Sequence, residues 1–430
     1  VSVREIDIGA DSLISALLKL SETEQVCVLD SCGVGHLGSH LLIAGISPVE
    51  SFEISGDADE SLAFLDRKLS QDGLATFFTL SYDLGRKLQD FPVTAKTNEP
   101  DMFAAMFDCV VVHDYDSRKT FLTGNAARFD QIENQWIEAK FEVVSVTNDA
   151  GIASNFSREE YIAAIETIKE YIRDGDTYQT NLTQRFTVSL PDDLRAAEIF
   201  WRLRHDHPAP FSAFFRRTDS TVVSASPERF FRLSDGNVIS TSPIKGTRPR
   251  GETPEKDAVL RRDLLSSEKD RAENTMIVDL LRNDLGRVCE YGSVRVEKLC
   301  DIEEHPTLFH LVSTTSGKLR NDVKPSDILK ALFPCGSITG APKIRTMQII
   351  DEIETVSRGL SMGAIGYSIP HNGFDGLEPG IDTSVSIRTM TIKDQTAVFN
   401  VGGGIVIDSD PQSEYDESLL KAKALLNALK

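Results

Sequence analysis

The chain has 430 residues, of which 40% are hydrophobic, and it carries 46 basic and 66 acidic side chains for a formal net charge of −20. That is apolar material for a large core in one or two domains, and the charge argues against a general binder of nucleic acid or anionic membrane. A small anionic substrate stays open, because a few cations or a metal ion in a cleft override the global field.

The first residues show no basic-then-apolar pattern, and no apolar run approaches a membrane span. Cys27, Cys32, Cys109, Cys289, Cys300 and Cys335 show no C-x-x-C spacing. Free thiols in a reducing cytoplasm are expected. Cys32, in Ser31-Cys32-Gly33-Val34-Gly35, is a poor match to a nucleophile elbow.

Residues 1–145 read as mixed α/β. Val26–Leu29 and Met102–Val112 look like buried strands, Leu62–Leu69 like a short helix, and Ala75–Leu80 like a strand leading into Tyr82–Arg86. The polar stretch Ser145–Ser154 is a candidate boundary, short enough that regions 1–145 and 150–430 should pack together.

Ser157 and Glu160 form a capping-box pattern, and Tyr161, Ala164, Ile165, Ile168 and Ile172 follow at helical spacing up to Gly175. The next segment alternates, with Gln179, Asn181, Thr183 and Arg185 on one face. That polar face either lines a cleft or meets water. Val222–Ser226 and Phe230–Leu233 bracket Ser226-Pro227-Glu228. The turn Asp235-Gly236-Asn237 then leads into Pro243-Ile244-Lys245-Gly246-Thr247-Arg248-Pro249. On these residues alone Lys245 reads as an ordinary lysine at a strand end or turn.

Ser267 should cap a helix with Asp270 reciprocal, an apolar face of Ala272, Met276, Ile277 and Leu280, and a stop at Gly286. Asp270 and Glu273 are neighbours on its surface, as are Asp279 and Arg282. Phe333–Lys343 reads as a glycine-rich loop opening a helix that Thr339 caps and that carries Ile344, Met347, Ile350 and Ile353. Strands follow at Gly363–Ile369, Ser384–Ile392 and Ala397–Val401. Gly402-Gly403-Gly404 is either a carboxylate-binding run of amides or a close-packing device. Asp410-Pro411 starts a last helix with a stripe of Leu419, Ala422, Leu426 and Leu429. Glu414, Glu417 and Lys421 share one of its faces, which taken alone is a salt-bridged surface. Two helices bearing paired carboxylates would, facing each other, make an all-oxygen site suited to magnesium.

Taken together, Ser226-Pro227-Glu228, Lys245 in Pro243–Thr247, Glu273-Asn274, Val278–Asp284, His310–Ser313, Gly336–Lys343, Ile387-Arg388 and Gly402–Glu417 resemble, in order, the motifs of the chorismate-utilising enzymes. Leu29-Asp30-Ser31 and Tyr82–Arg86 resemble that family's N-terminal region. The resemblance implies an α/β (α+β) fold like anthranilate synthase component I: a sandwich of two large, mainly antiparallel sheets flanked by helices. It also implies an enzyme acting on chorismate with Mg2+.

Carried over by that resemblance, Glu273 and Glu417 are metal ligands with Glu414 and Asp270 close by. Arg388, Tyr367 and the amides of Gly403 and Gly404 hold the enolpyruvyl carboxylate. Lys421 lies near the ring carboxylate, and Thr339 and His310 face the reacting end of the ring. Gln179 stands where relatives that add water carry a lysine. Lys245 stands where anthranilate synthases generally have alanine, so the branch implied replaces the chorismate 4-hydroxyl by an amino group. Lys245 is then the nucleophile and Glu228 its proton partner.

No Gly-x-Cys-x-Gly elbow is present, so ammonia is expected from a separate glutamine amidotransferase subunit. Leu29-Asp30-Ser31 matches part of a segment that binds tryptophan in relatives, which makes tryptophan a candidate N-terminal ligand. The rivals are an anthranilate synthase large subunit and a non-catalytic chorismate- or tryptophan-binding regulator.

Overall fold

The helices expected from their caps form where those caps lie. In the computed structural model, which describes residues 2–35, 40–89, 91, 99–137, 141, 151–305 and 308–430, Ser157 and Glu160 close a reciprocal capping box on helix Arg158–Arg173. Ser267 accepts from the Asp270 amide to start helix Glu268–Gly286. Asp410 accepts from the Ser413 amide to start helix Pro411–Ala428. Each satisfies amide donors that a bare helix end leaves unpaired.

The strands assemble into two large sheets. Among the described residues, one has 12 strands and runs from Ser2–Ile6 through Lys119–Gly124, Cys109–Asp114, Leu41–Ile46, Val26–Asp30, Phe211–Arg216, Thr221–Ser226, Thr389–Lys393, Thr396–Ile405 and Gln179–Ser189 to Gly340–Ala341, with Ile152–Ser154 also pairing Gln179–Ser189. The other has 10 strands and runs from Ile244–Pro249 through Leu308–Lys318, Val238–Ser242, Arg229–Ser234, Gly380–Val385, Ala364–Ile369, Ala75–Leu80 and Met102–Phe107 to Glu50–Ile54, with Arg295–Glu304 also pairing Leu308–Lys318. Every pairing is antiparallel.

A core of Cys27, Ile43, Val110 and Phe215 from the first sheet and Phe77, Phe103, Phe107 and Ile365 from the second fills the space between them. Rings of Phe77 and Phe107 meet edge to face at 5.2 Å, a favoured aromatic geometry. Separate cores cover the two outer faces, one under helices Ala10–Leu20, Ala196–Asp206 and Pro411–Ala428 and the other under Ala58–Leu69 and Pro325–Leu332. The result is the expected sandwich with helices outside.

The candidate boundary at 145–154 falls largely on residues outside those described. The chain on either side of it contributes to both sheets, Val26–Asp30 pairing with Phe211–Arg216 in one and Ala75–Leu80 with Ala364–Ile369 in the other. Among the described residues no helix is long and apolar enough to cross a membrane.

Three expectations change. Met102–Val112 is two strands, Met102–Phe107 and Cys109–Asp114, which lie in different sheets. The chain crosses over at Asp108, whose carboxylate is held by Asn125 at 2.8 Å and Arg128 at 2.9 Å. Ser384–Ile392 is likewise split, because Ser386–Arg388 carry the chain from the second sheet to the first. Helix faces shift as well. Ala272, Ile344 and Leu419 are exposed, while Val278, Leu281, Ile349 and Leu425 are buried in their helices.

Candidate active site

The site lies along the seam where strands pass between the sheets. Ser226-Pro227-Glu228 links Thr221–Ser226 of the first sheet to Arg229–Ser234 of the second, and Ser386–Arg388 makes the return crossing. The two crossings are tied together: the Ala225 amide donates to Arg388 O at 3.0 Å and the Val385 amide to Glu228 O at 3.0 Å. Glu228 and Arg388 therefore reach the same region from one rigid seam. Arg388 is held at φ +48°, a strained setting for a side-chain-bearing residue of the kind found at ligand sites.

Lys245 is aimed by a bulge. Strand Ile244–Pro249 pairs Ile244 with Val312 and Thr247 with His310, so the register slips across Lys245-Gly246. Gly246 has φ +82°, and a Cβ there would lie 2.8 Å from both Asp270 Cγ and Leu264 Cδ1. Glycine is favoured by the backbone and by the side chains of helices Pro254–Ser266 and Glu268–Gly286 packed against it.

The projected lysine bears electrostatically on Glu228, Glu273 and Glu417. Burial raises the Glu228 carboxyl above the usual glutamate range, against the pull of Ser337 and Lys245. One buried Glu228 oxygen has no hydrogen-bond partner. Burial raises Glu273 too, opposed by Lys245 and Lys269 and reinforced by Asp270 and Glu414. Two carboxyls that hold protons more tightly than usual therefore flank one amine.

The opposite wall is strand Gln179–Ser189 on strand Thr396–Ile405, with Asn181 across from Gly404 and Leu182 across from Gly403. Gln179 is fully buried, yet neither atom of its amide has a partner. The amide lies over Gly404, where a Cβ would be 2.1 Å from its Nε2. The close-packing reading of the glycines holds here. The partly buried Arg388 guanidinium has no hydrogen bond or ion pair among the described residues, and burial pulls it below the usual arginine range. Unsatisfied buried polar groups are costly and mark places where a ligand belongs.

Carboxylates complete the site. Glu417 bonds Lys421 at 2.9 Å, and Lys421 also donates to Gly402 O at 2.9 Å. Burial pushes the Glu417 carboxyl up, but Lys421, Lys269 and Lys245 outweigh it and the net shift is downward. Glu414 accepts from Ser409 at 2.7 Å, and Asp270 is held by Arg248 at 3.3 Å. Among the described residues no three His, Cys, Asp or Glu side chains are gathered into a metal cluster. Glu273 makes no hydrogen bond or ion pair there, and it shares its lysines with Glu417. An unpaired carboxylate of one helix near a second carboxylate of another fits magnesium, which takes one or two protein carboxylates and completes its shell with water and substrate.

Other expected residues are placed differently. Tyr367 shares a strand face with Ile365 and Ile369 and points between the sheets towards Phe77. It lines a cavity with Leu29, Asp30, Ser31, Phe211 and Asp382, a wall that does not include Arg388. Period-two alternation gives its partners on a face without telling which face meets substrate. In that cavity wall Asp30 is bound by Arg204, at 2.7 Å, and by the Tyr115 hydroxyl, at 2.7 Å. Thr339 does not cap the following helix, whose N-cap is Pro342. Its hydroxyl donates back to Cys335 O at 3.0 Å. His310 Nδ1 is 2.9 Å from the Thr247 hydroxyl, two residues beyond Lys245.

Several working residues had no role assigned from sequence. Arg358 donates to Asn181 O at 2.6 Å, Ile338 O at 2.9 Å and both oxygens of Glu354, clasping the Gln179 strand to the Thr339 loop. Lys343 is buried against Asp284 at 2.6 Å beneath the same loop. Asn274, next to Glu273, bonds Leu311 O at 3.4 Å and the Ser313 hydroxyl, which ties its helix to the His310 strand. The i, i+4 spacings of Glu354 with Arg358 and of Lys269 with Glu273 are visible in the sequence; their long-range partners are not.

The family described as chorismate binding enzyme matches residues 25–427. The chain is 43% identical over 354 residues to aminodeoxychorismate synthase component 1 of Klebsiella aerogenes, covering 81% of this chain and 75% of that protein. It is 39% identical over 374 residues to an anthranilate synthase component 1 of Haloarcula marismortui, covering 81% and 74%. The crystal structure of anthranilate synthase component I from Streptococcus pneumoniae superimposes with a TM-score of 0.78 at 28% identity, covering 91% of this chain and 93% of that one.

Proposed function

The chain belongs to the chorismate binding enzyme family, and from that premise we propose that it is the chorismate-aminating large subunit of an aminodeoxychorismate synthase. The observation that carries this reading is Lys245, projected by a bulge between the raised carboxyls of Glu228 and Glu273. A relative of each activity matches at similar identity, so the choice between amination and anthranilate formation rests on this residue.

Arg388 supplies a guanidinium fork for one carboxylate of the substrate, and the Gln179 amide supplies a donor and an acceptor beside it. Glu273 and Glu417 would hold magnesium against the ring carboxylate, with Asp270 and Glu414 nearby. When bound, the metal supplies Lewis-acid polarisation of that carboxylate and the ring.

Lys245 must be neutral to attack. Its proton passes to Glu228, whose buried carboxyl favours the protonated form. The Nζ lone pair bonds to C2, the two conjugated ring double bonds both shift (C1=C2 to C1=C6, C5=C6 to C4=C5), and the 4-hydroxyl leaves with the proton from Glu228 as water. Ammonia then bonds to C4, both double bonds shift back, and the C2–Nζ bond breaks to release Lys245. The sum is chorismate plus ammonia giving 4-amino-4-deoxychorismate plus water, a precursor of 4-aminobenzoate and folate. With no Gly-x-Cys-x-Gly elbow in the chain, a glutamine amidotransferase partner is the proposed ammonia source.

The test is to incubate the protein with chorismate, MgCl2 and ammonium at mildly alkaline pH and identify the product by mass. Aminodeoxychorismate supports the reading. Anthranilate or isochorismate overturns it, as does chorismate that is bound equally well without magnesium and never consumed. Lys245→Ala should remove any substrate adduct on the intact protein, and an adduct persisting on another residue would refute the assigned nucleophile.

A further inference from the structure

Lys269 lies one turn before Glu273 on helix Glu268–Gly286 and reaches across to the C-terminal helix. Its ammonium is 3.9 Å from Glu414 Oε1, with 60% of the side chain exposed. It also bears electrostatically on Glu273 of its own helix and Glu417 of the other. The other cations of the cluster are held in place by hydrogen bonds or by the backbone. Lys421 is bonded to Gly402 O and Glu417, both at 2.9 Å. Arg248 is bonded to Asp263, at 2.6 Å, and to Asp270, at 3.3 Å. Lys245 is fixed by its bulge. Lys269 makes no hydrogen bond among the described residues, and its exposed stem lets it swing away.

We propose that Lys269 is a built-in competitor of the divalent cation: its ammonium neutralises the carboxylates of the two helices and is displaced when the metal binds. This rests on the reading that Glu273 and Glu417 hold magnesium. Asp263, Asp270, Glu273, Glu414 and Glu417 face Lys245, Lys269, Lys421 and Arg248, so most of the carboxylate charge is already offset and a metal meets little net attraction. The arrangement holds metal affinity down until a dicarboxylate substrate adds its own negative charge. Removing the Lys269 charge leaves one more carboxylate uncompensated to attract the cation.

Isothermal titration of MgCl2 into the full chain, without substrate and at low ionic strength, tests this. Lys269→Met should tighten magnesium binding by about three- to tenfold, the scale expected for removing one unit charge near a divalent ion at a partly solvated site. Lys269→Arg should bind like the wild type, Glu273→Gln should lose binding, and the gain in Lys269→Met should shrink at high salt. Equal or weaker binding by Lys269→Met, with Glu273→Gln still defective, overturns the competitor role alone. A wild type that binds no magnesium, or a Glu273→Gln variant that binds normally, sinks the metal reading and this inference with it.

Discussion

Gly402, Gly403 and Gly404 are adjacent in one strand, yet alanine at each should fail differently. At Gly402 an added Cβ would sit 1.8 Å from Leu182 O and 2.8 Å from Thr183 Cα. Those are backbone atoms of the paired strand, more than an ångström inside carbon contact distance. The ladder must open, at roughly 3–5 kcal/mol for overpacking plus weakened hydrogen bonds. With an unfolding entropy of about 0.9 kcal/mol/K for a chain of this length, Gly402→Ala should lower Tm by roughly 3–6 °C.

At Gly404 the obstacle is the end of a side chain, Gln179 Nε2 at 2.1 Å. That amide has no hydrogen bonds to lose, so moving it costs about 1 kcal/mol or less and Tm should stay within about 1 °C. Activity should nevertheless fall about 10- to 100-fold, because a positioning group has moved by an ångström or more. At Gly403 the nearest atoms are Glu414 Oε2 and Lys421 Nζ at 3.4 Å, an ordinary contact, and little should change. Differential scanning fluorimetry and steady-state amination rates separate the three. A Gly402→Ala protein with wild-type Tm would refute the packing argument. A fully active Gly404→Ala would remove Gln179 from the site. Gln179→Ala combined with Gly404→Ala should be no worse than Gln179→Ala alone, since the two share one interaction.

Because burial raises Glu273, its stabilising contribution is present at low pH and lost as pH rises through the raised value. Glu273→Gln should therefore melt higher than the wild type at neutral pH in EDTA, with the gap closing as pH falls below about 4.5; melting curves across pH check the sign. Arg388→Lys should raise KM for chorismate about tenfold or more with Tm unchanged, since a point charge replaces the bidentate fork. Arg388→Met should abolish binding while raising Tm, because it removes an unpaired cation from a partly buried place. Arg358→Met should destabilise by about 3–5 kcal/mol in urea unfolding by leaving Glu354 buried without its partner.

Local chemistry was legible and long-range placement was not. The Ser157–Glu160, Ser267–Asp270 and Asp410-Pro411 starts were readable because a helix cap is satisfied within four residues. The crossing at Asp108 was hidden inside an apolar run buried on both faces, and the one at Ser386–Arg388 continues the polar–apolar alternation of the strand before it, so neither pattern signals a change of sheet. Tyr367 was assigned to the substrate by the family resemblance, not by its strand pattern. Its strand was recognisable, but the face that meets the cleft depends on which neighbours close over it. Arg358, Ser337 and Lys269 looked like ordinary polar residues, since their partners Asn181, Glu228 and Glu414 are distant in sequence. The set brought together around Lys245 became recognisable only as an ordered series of motifs.

On the proposed reading one position chooses the reaction, and the geometry of the bulge is compatible with that. Its shape is made by the positive φ of Gly246 and by the close approach of Asp270 and Leu264, and the following Thr247 is pinned to His310. None of these depends on the side chain at 245. Lysine can therefore be exchanged for a small residue without moving the backbone that aims it, and the neighbouring carboxyls, Arg388 and Gln179 keep their places. Lys245→Ala is then a change of chemistry alone. It should retain the wild-type Tm within about 1 °C and bind chorismate, yet lose the adduct and amination. Loss of folding together with activity would show instead that the lysine holds the bulge, and the separation of scaffold from nucleophile would fail.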